Sequence, residues 1–261
     1  MQRPRFYYLV NIQYLGYRLH GWQRQPNFKT VEGLIKKTLK FVLPDLKTKL
    51  LGSSRTDAMV SANQAAFELF VYDHPLPDLS EFLQVFNKNL PPDIKALSIE
   101  EVDAAFNIIQ HPKQKEYLYL FSFGSKNHPF CAPLMANFQE ELDIKLMKKG
   151  AKLFQGEHNF KNYTVAPSAK TILVRNVDVC HISENNLYTA NFFPEQSFVF
   201  TVKGTGFLRY QIRLMMGTLI QLGKGEVSLE DIKDSLKPES EMTMTYIAPA
   251  SGLILNKIDF T

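Results

Sequence analysis

Cysteine is scarce in this sequence, and long apolar runs are missing from it. The 261 residues include 2 cysteines, too few for a disulfide scaffold or a four-thiolate zinc site. No apolar run approaches the roughly 18–20 residues that cross a bilayer. The segment Met1-Gln2-Arg3-Pro4 leads into a strand-like stretch without the apolar core of a signal peptide. We therefore expect a cytoplasmic protein that does not enter a membrane.

Motifs for metals and for nucleotide cofactors are also missing. The 6 histidines show no metal-ligand spacing, and His158 has no second histidine four residues away, which excludes a zinc-protease helix. Gly204 and Gly206 precede an apolar helical pattern, but the third glycine and acidic partner of a dinucleotide-binding motif are absent. The sequence thus predicts a chemistry that needs no metal and no cofactor.

The composition does provide an ordinary core and a small excess of positive charge. Hydrophobic residues make up 45% of the chain, and 30 Lys and Arg against 26 Asp and Glu give a net charge of +4. This excess fits a nucleic-acid binder, but many proteins without such a ligand are equally basic. Two lysine clusters are interpreted mainly as solvated faces of amphipathic helices: Lys36, Lys37, Lys40, Lys47 and Lys49, and Lys145, Lys148, Lys149 and Lys152.

Hydrophobic periodicity predicts the order β-α-β-β-α-β in the first half of the chain. Strands are predicted at 6–14, 47–54, 62–72 and 94–102. One helix is predicted to begin after the capping residue Thr30, and a second after Asp78, which forms a capping-box pattern with Glu81. This order is that of the ferredoxin-like fold.

The second half is predicted to repeat this order with longer connections. Strands are expected at 115–123, 171–182, 196–203 and 253–258, and helices at 139–154, at 207–222 and after Ser228. We place the domain division so that 1–104 and 105–261 form the two halves. The predicted fold class is α+β: two tandem ferredoxin-like units that form a wide antiparallel sheet, with helices on one face and a central cleft.

Two polar features stand out among these elements. Arg55, Thr56 and Asp57 lie in a loop of small residues between two strands, where an aspartate could act as nucleophile, general base or metal ligand. Taken alone, such a turn is more often structural. Arg213 falls within a strongly apolar helix, where it either pairs with an anion or extends to the helix edge.

Tyrosines at alternate positions of one strand are a third feature. Tyr117 and Tyr119 are predicted to lie on one face of the strand 115–123. Such a pair usually belongs to the core or its rim, but it could also form a platform on which bases stack.

Short segments resemble motifs of the tRNA pseudouridine synthase A family, and they follow the family's order along nearly the whole chain. They are Tyr14 with Gly16, 21–25 (GWQRQ), 30–33 (TVEG), 55–58 (RTDA), Phe106, 117–119 (YLY), 156–160 (GEHNF), 206–219 (GFL, then an arginine and GTL) and 248–253 (APASGL). Each match is weak alone, and the ordered set identifies the chain as a member of this family.

The resemblance implies that a uridine of tRNA, typically in the anticodon stem-loop, is isomerised to pseudouridine without a cofactor. By the resemblance, Asp57 is the catalytic carboxylate, and Arg213 is its ion-pair partner on the floor of the cleft. Tyr117 would stack on the target uracil, and Arg55 would displace this base from the stem and fill its place.

Further substrate contacts implied by the resemblance come from Arg24, Phe207 and Leu253. The family also implies tRNA as the partner and a homodimer as the assembly. Neither of these follows from the composition.

The sequence departs from the family motifs at several positions. Ser54 and Met59 replace glycines, Ser61 replaces a histidine, and Asn107 and Ile109 replace a histidine and an arginine. A methionine adopts a positive φ only at a cost on the order of 1 kcal/mol, so the loop is expected to follow a different path there.

These departures leave a rival function open. The chain could be a catalytically silent tRNA-binding paralogue that acts as an RNA chaperone or scaffold. The retention of Asp57 and Arg213 argues against it, since a pure binder gains little from an internal acid near phosphate. A third alternative, an aspartate-based hydrolase, lacks a second carboxylate to act as the acid.

Overall fold

The computed structural model describes residues 4–260, so the prediction for Met1-Gln2-Arg3 lies outside the described residues. Residue contacts divide the chain into two compact units. The first unit contains residues 4–113 and 255–260, and the second contains Gln114–Ile254. The boundary between the units thus falls after Lys113, whereas the sequence predicted it after residue 104. The difference arises because residues 103–111 pack onto the first unit through Phe106 and Ile108.

The first unit follows the predicted element order, which confirms the ferredoxin-like arrangement there. Its elements are β1 (Arg5–Tyr14), α1 (Val31–Val42), β2 (Thr48–Gly52), β3 (Ser61–Tyr72), α2 (Leu79–Asn89) and β4 (Ile94–Val102). The strands run antiparallel, with β1 between β4 and β3. On the other side of β3 lies β2.

Both predicted helix caps of this unit are present. The Thr30 hydroxyl accepts a hydrogen bond from the Gly33 N–H at 3.3 Å, and the Asp78 carboxylate accepts one from the Glu81 N–H at 2.9 Å. Each cap satisfies a backbone donor that the first helical turn leaves without a partner. The start of each helix was therefore readable from the sequence.

The two faces of the first sheet differ in what covers them. Val10 and Phe67, which are opposite each other in β1 and β3, have no exposed side-chain surface and belong to the helix-covered face. On the opposite face, Leu9 and Ala66 pack against Ile108, so residues 103–111 cover one part of the sheet. At the far end of the same face, Phe70 and Tyr72 are half-buried.

The second unit contains more elements than the sequence predicted. They are β5 (Gln114–Phe123), β6 (Ala136–Phe138), α3 (Ile144–Leu153), β7 (Gly156–Asn159), β8 (Val174–Glu184), β9 (Phe198–Gly204), α4 (Gln211–Gly223), α5 (Leu229–Ser235) and the start of β10 (Leu253–Asp259). Strands β5, β9, β8 and β7 follow one another across the sheet in an antiparallel arrangement. The short strand β6 pairs with β5 in parallel, which departs from a purely antiparallel sheet.

Two helices of this unit begin later than predicted. Helix α3 starts after Asp143, whose carboxylate accepts a hydrogen bond from the Leu146 N–H at 2.9 Å. Helix α4 starts after Tyr210, which has a left-handed backbone conformation (φ 64°) that cannot continue a right-handed helix. The helix after Ser228 forms as predicted, with Asp231 completing a capping box.

The lysine cluster near residue 40 was only partly interpreted correctly. Helix α1 ends at Val42, so Lys47 and Lys49 do not belong to an amphipathic helix. Lys49 lies in β2, and Lys47 comes directly before this strand. Within residues 4–260, no helix has both the length and the apolar character needed to span a bilayer.

Candidate functional site

The loop that carries Asp57 connects β2 to β3 and is held from both sides. The Trp22 N–H donates to the Thr56 carbonyl at 3.1 Å, and the Met59 N–H donates to the Leu19 carbonyl at 3.0 Å. The side chains of Tyr14 and Thr56 share a hydrogen bond of 2.9 Å. Because residues on both sides of Asp57 are fixed in this way, the backbone of this half-buried residue has a defined position in the first unit.

Gly21 allows the two loops to approach each other. It has a positive φ of 81°, and a Cβ atom at this position would lie 2.6 Å from the Thr56 carbonyl oxygen. Any side chain would therefore collide with the backbone next to Asp57 and would also force an unfavourable conformation. This glycine and the Asp57 loop form one structural unit.

Met59 takes the left-handed conformation (φ 67°) that the sequence analysis considered unfavourable for it. The replacement of glycine by methionine has therefore not removed a positive φ from this loop, contrary to the expectation of a different path. The neighbouring Ser61 is buried, and its hydroxyl accepts a hydrogen bond from the Gly16 N–H at 2.9 Å. Ser61 thus ties the start of β3 to the loop that follows β1.

Arg24 and Arg55 are both exposed in the first unit. The backbone N–H of Arg24 donates to the Glu32 carboxylate at 2.9 Å, which fixes the backbone at Arg24 against helix α1. Burial opposes the ionisation of Glu32, but hydrogen bonds from Lys36 and from this N–H outweigh it and lower the pKa of the carboxyl group. The guanidinium groups of Arg24 and Arg55 face solvent.

Arg213 lies in α4 of the second unit with its guanidinium group oriented by two neighbours. Its Nε donates to the Ala248 carbonyl at 2.8 Å, and the Ala248 N–H donates back to the Arg213 carbonyl at 3.0 Å. The Tyr210 ring lies 5.2 Å from the guanidinium carbon, within the range of a cation–π contact. Arg213 is half-buried and held in one orientation, not extended freely into solvent.

Tyr119 belongs to the core that supports this arginine. Its side chain is fully buried, and its hydroxyl donates to the Pro249 carbonyl at 2.7 Å, next to the residue that binds Arg213. Burial raises the pKa of Tyr119 well above its usual value, so the phenol stays protonated and keeps this hydrogen bond. Of the alternatives for this residue, the core interpretation is correct.

Tyr117 and Phe207 contact each other in the second unit. Their ring centroids lie 5.5 Å apart in an edge-to-face arrangement, and the Tyr117 side chain is only 9% exposed. Leu253 is also buried, directly after a short 3₁₀ helix (Ala250–Gly252). A Cβ atom on Gly252 would lie 2.9 Å from the Tyr119 ring, so this helix packs closely onto β5.

Lys115 is a residue of interest that the sequence analysis passed over. It lies two positions before Tyr117 on β5, so both side chains emerge on one face of the strand. Burial lowers the pKa of Lys115. A buried group with a shifted pKa is a candidate functional residue. Strand alternation around Tyr117 was the signal that could have identified it.

The predicted residues are thus distributed over both units. The first unit holds Arg24, Arg55 and Asp57, and the second holds Tyr117, Phe207, Arg213 and Leu253. Within the second unit the structure brings Tyr117 and Phe207 together, and the ion pair between Asp57 and Arg213 stays a prediction. Among the described residues, no group of three or more His, Cys, Asp or Glu side chains is arranged as a metal site.

Comparison with known proteins gives relatives that match nearly the whole chain. A family model described as tRNA pseudouridine synthase matches residues 151–261. A protein of Bacillus cereus (strain ATCC 10987 / NRS 248) named tRNA pseudouridine synthase A 2 is 34% identical, covering 97% of this chain and 99% of the relative.

Two relatives from other organisms carry the name tRNA pseudouridine synthase A. The protein of Dictyoglomus thermophilum is 30% identical, covering 96% of this chain and 98% of its own length. The protein of Clostridium botulinum (strain Eklund 17B / Type B) is also 30% identical, and the match covers 95% of this chain and 96% of the relative. The similarity therefore extends over both units.

Proposed function

Since the chain belongs to the tRNA pseudouridine synthase A family, we propose that it isomerises a uridine of tRNA to pseudouridine with Asp57 as the catalytic carboxylate. The observation that carries the assignment to Asp57 is the loop around it, where backbone hydrogen bonds fix Thr56 and Met59 on either side. A side chain on a fixed backbone loses less conformational entropy when it approaches a reacting atom.

The reaction breaks the bond between ribose C1′ and uracil N1 and forms a bond between C1′ and uracil C5. The proton on C5 leaves and N1 gains one, so no redox partner or group donor is required. Asp57 could attack the base, attack the ribose or remove a sugar proton, and each role requires an ionised carboxylate. The guanidinium group of Arg213, paired with Asp57, would favour this charged form.

Tyr117 and Phe207 are the residues that we assign to the target base. The edge of one ring against the face of the other holds the Tyr117 ring in a fixed plane. A uracil that has left the stem could stack on this ring, and Arg55 would occupy the position that the base vacated. Arg24 and Leu253 complete the proposed substrate contacts.

Target and assembly rest on family membership alone. We assign the target uridine to the anticodon stem-loop, the active form to a homodimer, and the location to the cytoplasm. The role proposed for Asp57 does not depend on the target uridine, the assembly or the location.

The test is tritium release from unmodified tRNA labelled at uracil C5. The wild-type protein is expected to release tritium, and Asp57→Asn to reduce the rate by about 10³-fold or more while tRNA affinity stays within a few fold. Asp45→Asn, an exposed aspartate of the same unit, is the matched control and should keep the wild-type rate. Tight tRNA binding without tritium release by the wild type would instead support the catalytically silent paralogue.

The same assay tests the proposed ion pair. Arg213→Ala is expected to lose most activity, because it would leave the carboxylate of Asp57 without its counter-charge. A stable Arg213→Ala protein with the full wild-type rate would contradict the pairing while leaving the role of Asp57 intact.

A further inference from the structure

Three basic side chains lie over aromatic rings at the end of the first unit's sheet where β1 begins and β3 ends. The Arg5 guanidinium carbon is 5.2 Å from the centre of the Tyr72 ring, and the Lys47 Nζ is 5.3 Å from the same centre. The Lys49 Nζ is 5.4 Å from the centre of the Phe70 ring. We call these five residues the cation patch.

The register of the strands places the patch on the face of the sheet opposite α1 and α2. Lys49 is opposite Phe70, and Arg5 is opposite Tyr72. The Tyr72 N–H donates to the Lys47 carbonyl at 3.0 Å, which ties the residue before β2 to the end of β3. All three cations are exposed, and both rings are half-buried.

The rings, and not carboxylates, hold these cations in place. Within residues 4–260, none of the three is joined to a carboxylate by a salt bridge. The charge of Lys49 acts on the buried Glu68 and lowers its pKa, but burial has the larger effect and raises it. The patch therefore presents positive charge to solvent in a fixed arrangement, and an anion that binds there meets a lower entropic cost.

A cavity extends the positive charge beyond the patch. Lys49 also lines a cavity of about 320 Å³ between α1 and β2, together with Lys40 and with Lys36, which is ion-paired with Glu32. No acidic residue contributes to its lining. Lys40 thus adds one further positive charge beside β2.

The patch and the Asp57 loop lie at opposite ends of β3. The loop leads into Ser61, and the patch ends at Tyr72, so the full length of the strand separates them. At about 3.3 Å per residue, this separation is on the order of 35 Å. A single nucleotide could not contact both places, whereas a folded tRNA is long enough to do so.

We propose that the cation patch is a docking site for the phosphate backbone of the substrate tRNA, away from the target uridine. This inference rests on the proposed function, because the polyanion that it names is the substrate of the Asp57 site. Each cation that contacts a phosphate releases a counterion, which strengthens binding without reading the sequence. The patch therefore contributes to the affinity for whole tRNA and not to the chemical step.

The test compares the wild type with the triple variant Arg5→Gln/Lys47→Gln/Lys49→Gln. Affinity for full-length unmodified tRNA is measured by fluorescence anisotropy over a range of salt concentrations. The variant is expected to bind tRNA roughly tenfold more weakly. The slope of log affinity against log salt concentration should decrease in magnitude by about 2. A stem-loop RNA that contains the target uridine, but is too short to reach from the Asp57 loop to the cation patch, should bind both proteins equally. Tritium release at saturating tRNA should stay unchanged.

The matched control removes the same charge elsewhere. Lys145→Gln/Lys149→Gln/Lys152→Gln changes three exposed lysines of helix α3 and should keep the wild-type affinity and salt slope. If both triple variants weaken tRNA binding equally, the effect comes from net charge and not from the patch, and the inference is overturned. The charge-conserving variant Lys47→Arg/Lys49→Arg should bind as the wild type does, which separates loss of charge from loss of folding.

The outcomes also separate this inference from the proposed function. If the wild type releases tritium but the patch variant keeps its tRNA affinity and salt slope, the docking site is wrong and the enzyme assignment stands. If the wild type binds tRNA through the patch but releases no tritium, the docking site stands and the enzyme assignment is wrong.

Discussion

Individual residues in the first unit are held at positions that cost stability. Met59 adopts a positive φ although it carries a side chain, at a cost of about 1 kcal/mol, and it lies two residues after Asp57. Glu68 places a carboxyl group in a buried position of β3. Local strain near a proposed catalytic loop is common in enzymes, because the surrounding structure determines the backbone path there.

Glu68 gives a prediction about pH. Burial raises its pKa, while the N–H of Ile108 and the charges of Lys49 and His111 lower it, with burial the larger effect. Because the folded pKa lies above the unfolded value, stability falls as pH rises from the unfolded pKa through the folded one. Glu68→Gln retains an acceptor for the Ile108 N–H without this loss, so its melting temperature should exceed that of the wild type at pH 8 but not at pH 4.

Thermal melts at both pH values check this expectation. Glu100→Gln, an exposed glutamate opposite Leu9 in β4, is the matched control and should show no such pH-dependent gain. A Glu68→Gln protein less stable than the wild type at pH 8 would contradict the argument.

Three capped helices were predictable from the sequence, whereas the start of α3 at its cap Asp143 and the short or strained elements were not. Thr30, Asp78 and Ser228 each start a helix where the sequence predicts it, because a capping side chain marks the first turn locally. The start of α4 depends on the backbone conformation of Tyr210, which no sequence pattern indicates. Strands β6 and β7 are too short to show a period.

The contact between the end of β2 and Trp22 gives a prediction at the level of elements. A Cβ atom on Gly52 would lie 2.3 Å from the Trp22 indole, and the Trp22 side chain is 3% exposed. Gly52→Ala must therefore displace the indole and should lower the free energy of unfolding by about 1–3 kcal/mol. Because the backbone N–H of Trp22 donates to the Thr56 carbonyl in the Asp57 loop, activity should fall as well.

Trp22 is the single tryptophan of the sequence, so its fluorescence reports directly on this contact. Gly52→Ala should shift the emission to longer wavelength as the indole becomes more exposed. Gly206→Ala is the control, because a Cβ atom there would have no neighbour within 4 Å. Unchanged emission together with unchanged stability in Gly52→Ala would show that the packing tolerates the methyl group.

At the scale of the whole molecule, the chain returns to its first unit at the end. Residues 255–260 belong to the unit that begins the chain. The Asn63 amide donates to the Asn256 side-chain oxygen at 2.7 Å, and the Lys113 N–H donates to the Asp259 carbonyl at 2.7 Å. This last strand was predicted to belong to the second half, because the order of elements in the sequence does not show which unit a terminal strand joins.

Removal of residues 255–261 should therefore destabilise the first unit more than the second. The deletion exposes the edge of β3 and removes Phe260 from its contact with Phe106, whose rings lie 5.7 Å apart. Measured by hydrogen exchange, the free energy of opening should fall by about 3 kcal/mol or more in β1 and β3, because several hydrogen bonds are lost together. Amides of β8 and β9 should keep most of their protection. Lys257→Gln, which retains the strand, is the control and should behave as the wild type. Equal loss of protection in β3 and β9 would mean that the final strand stabilises both units alike.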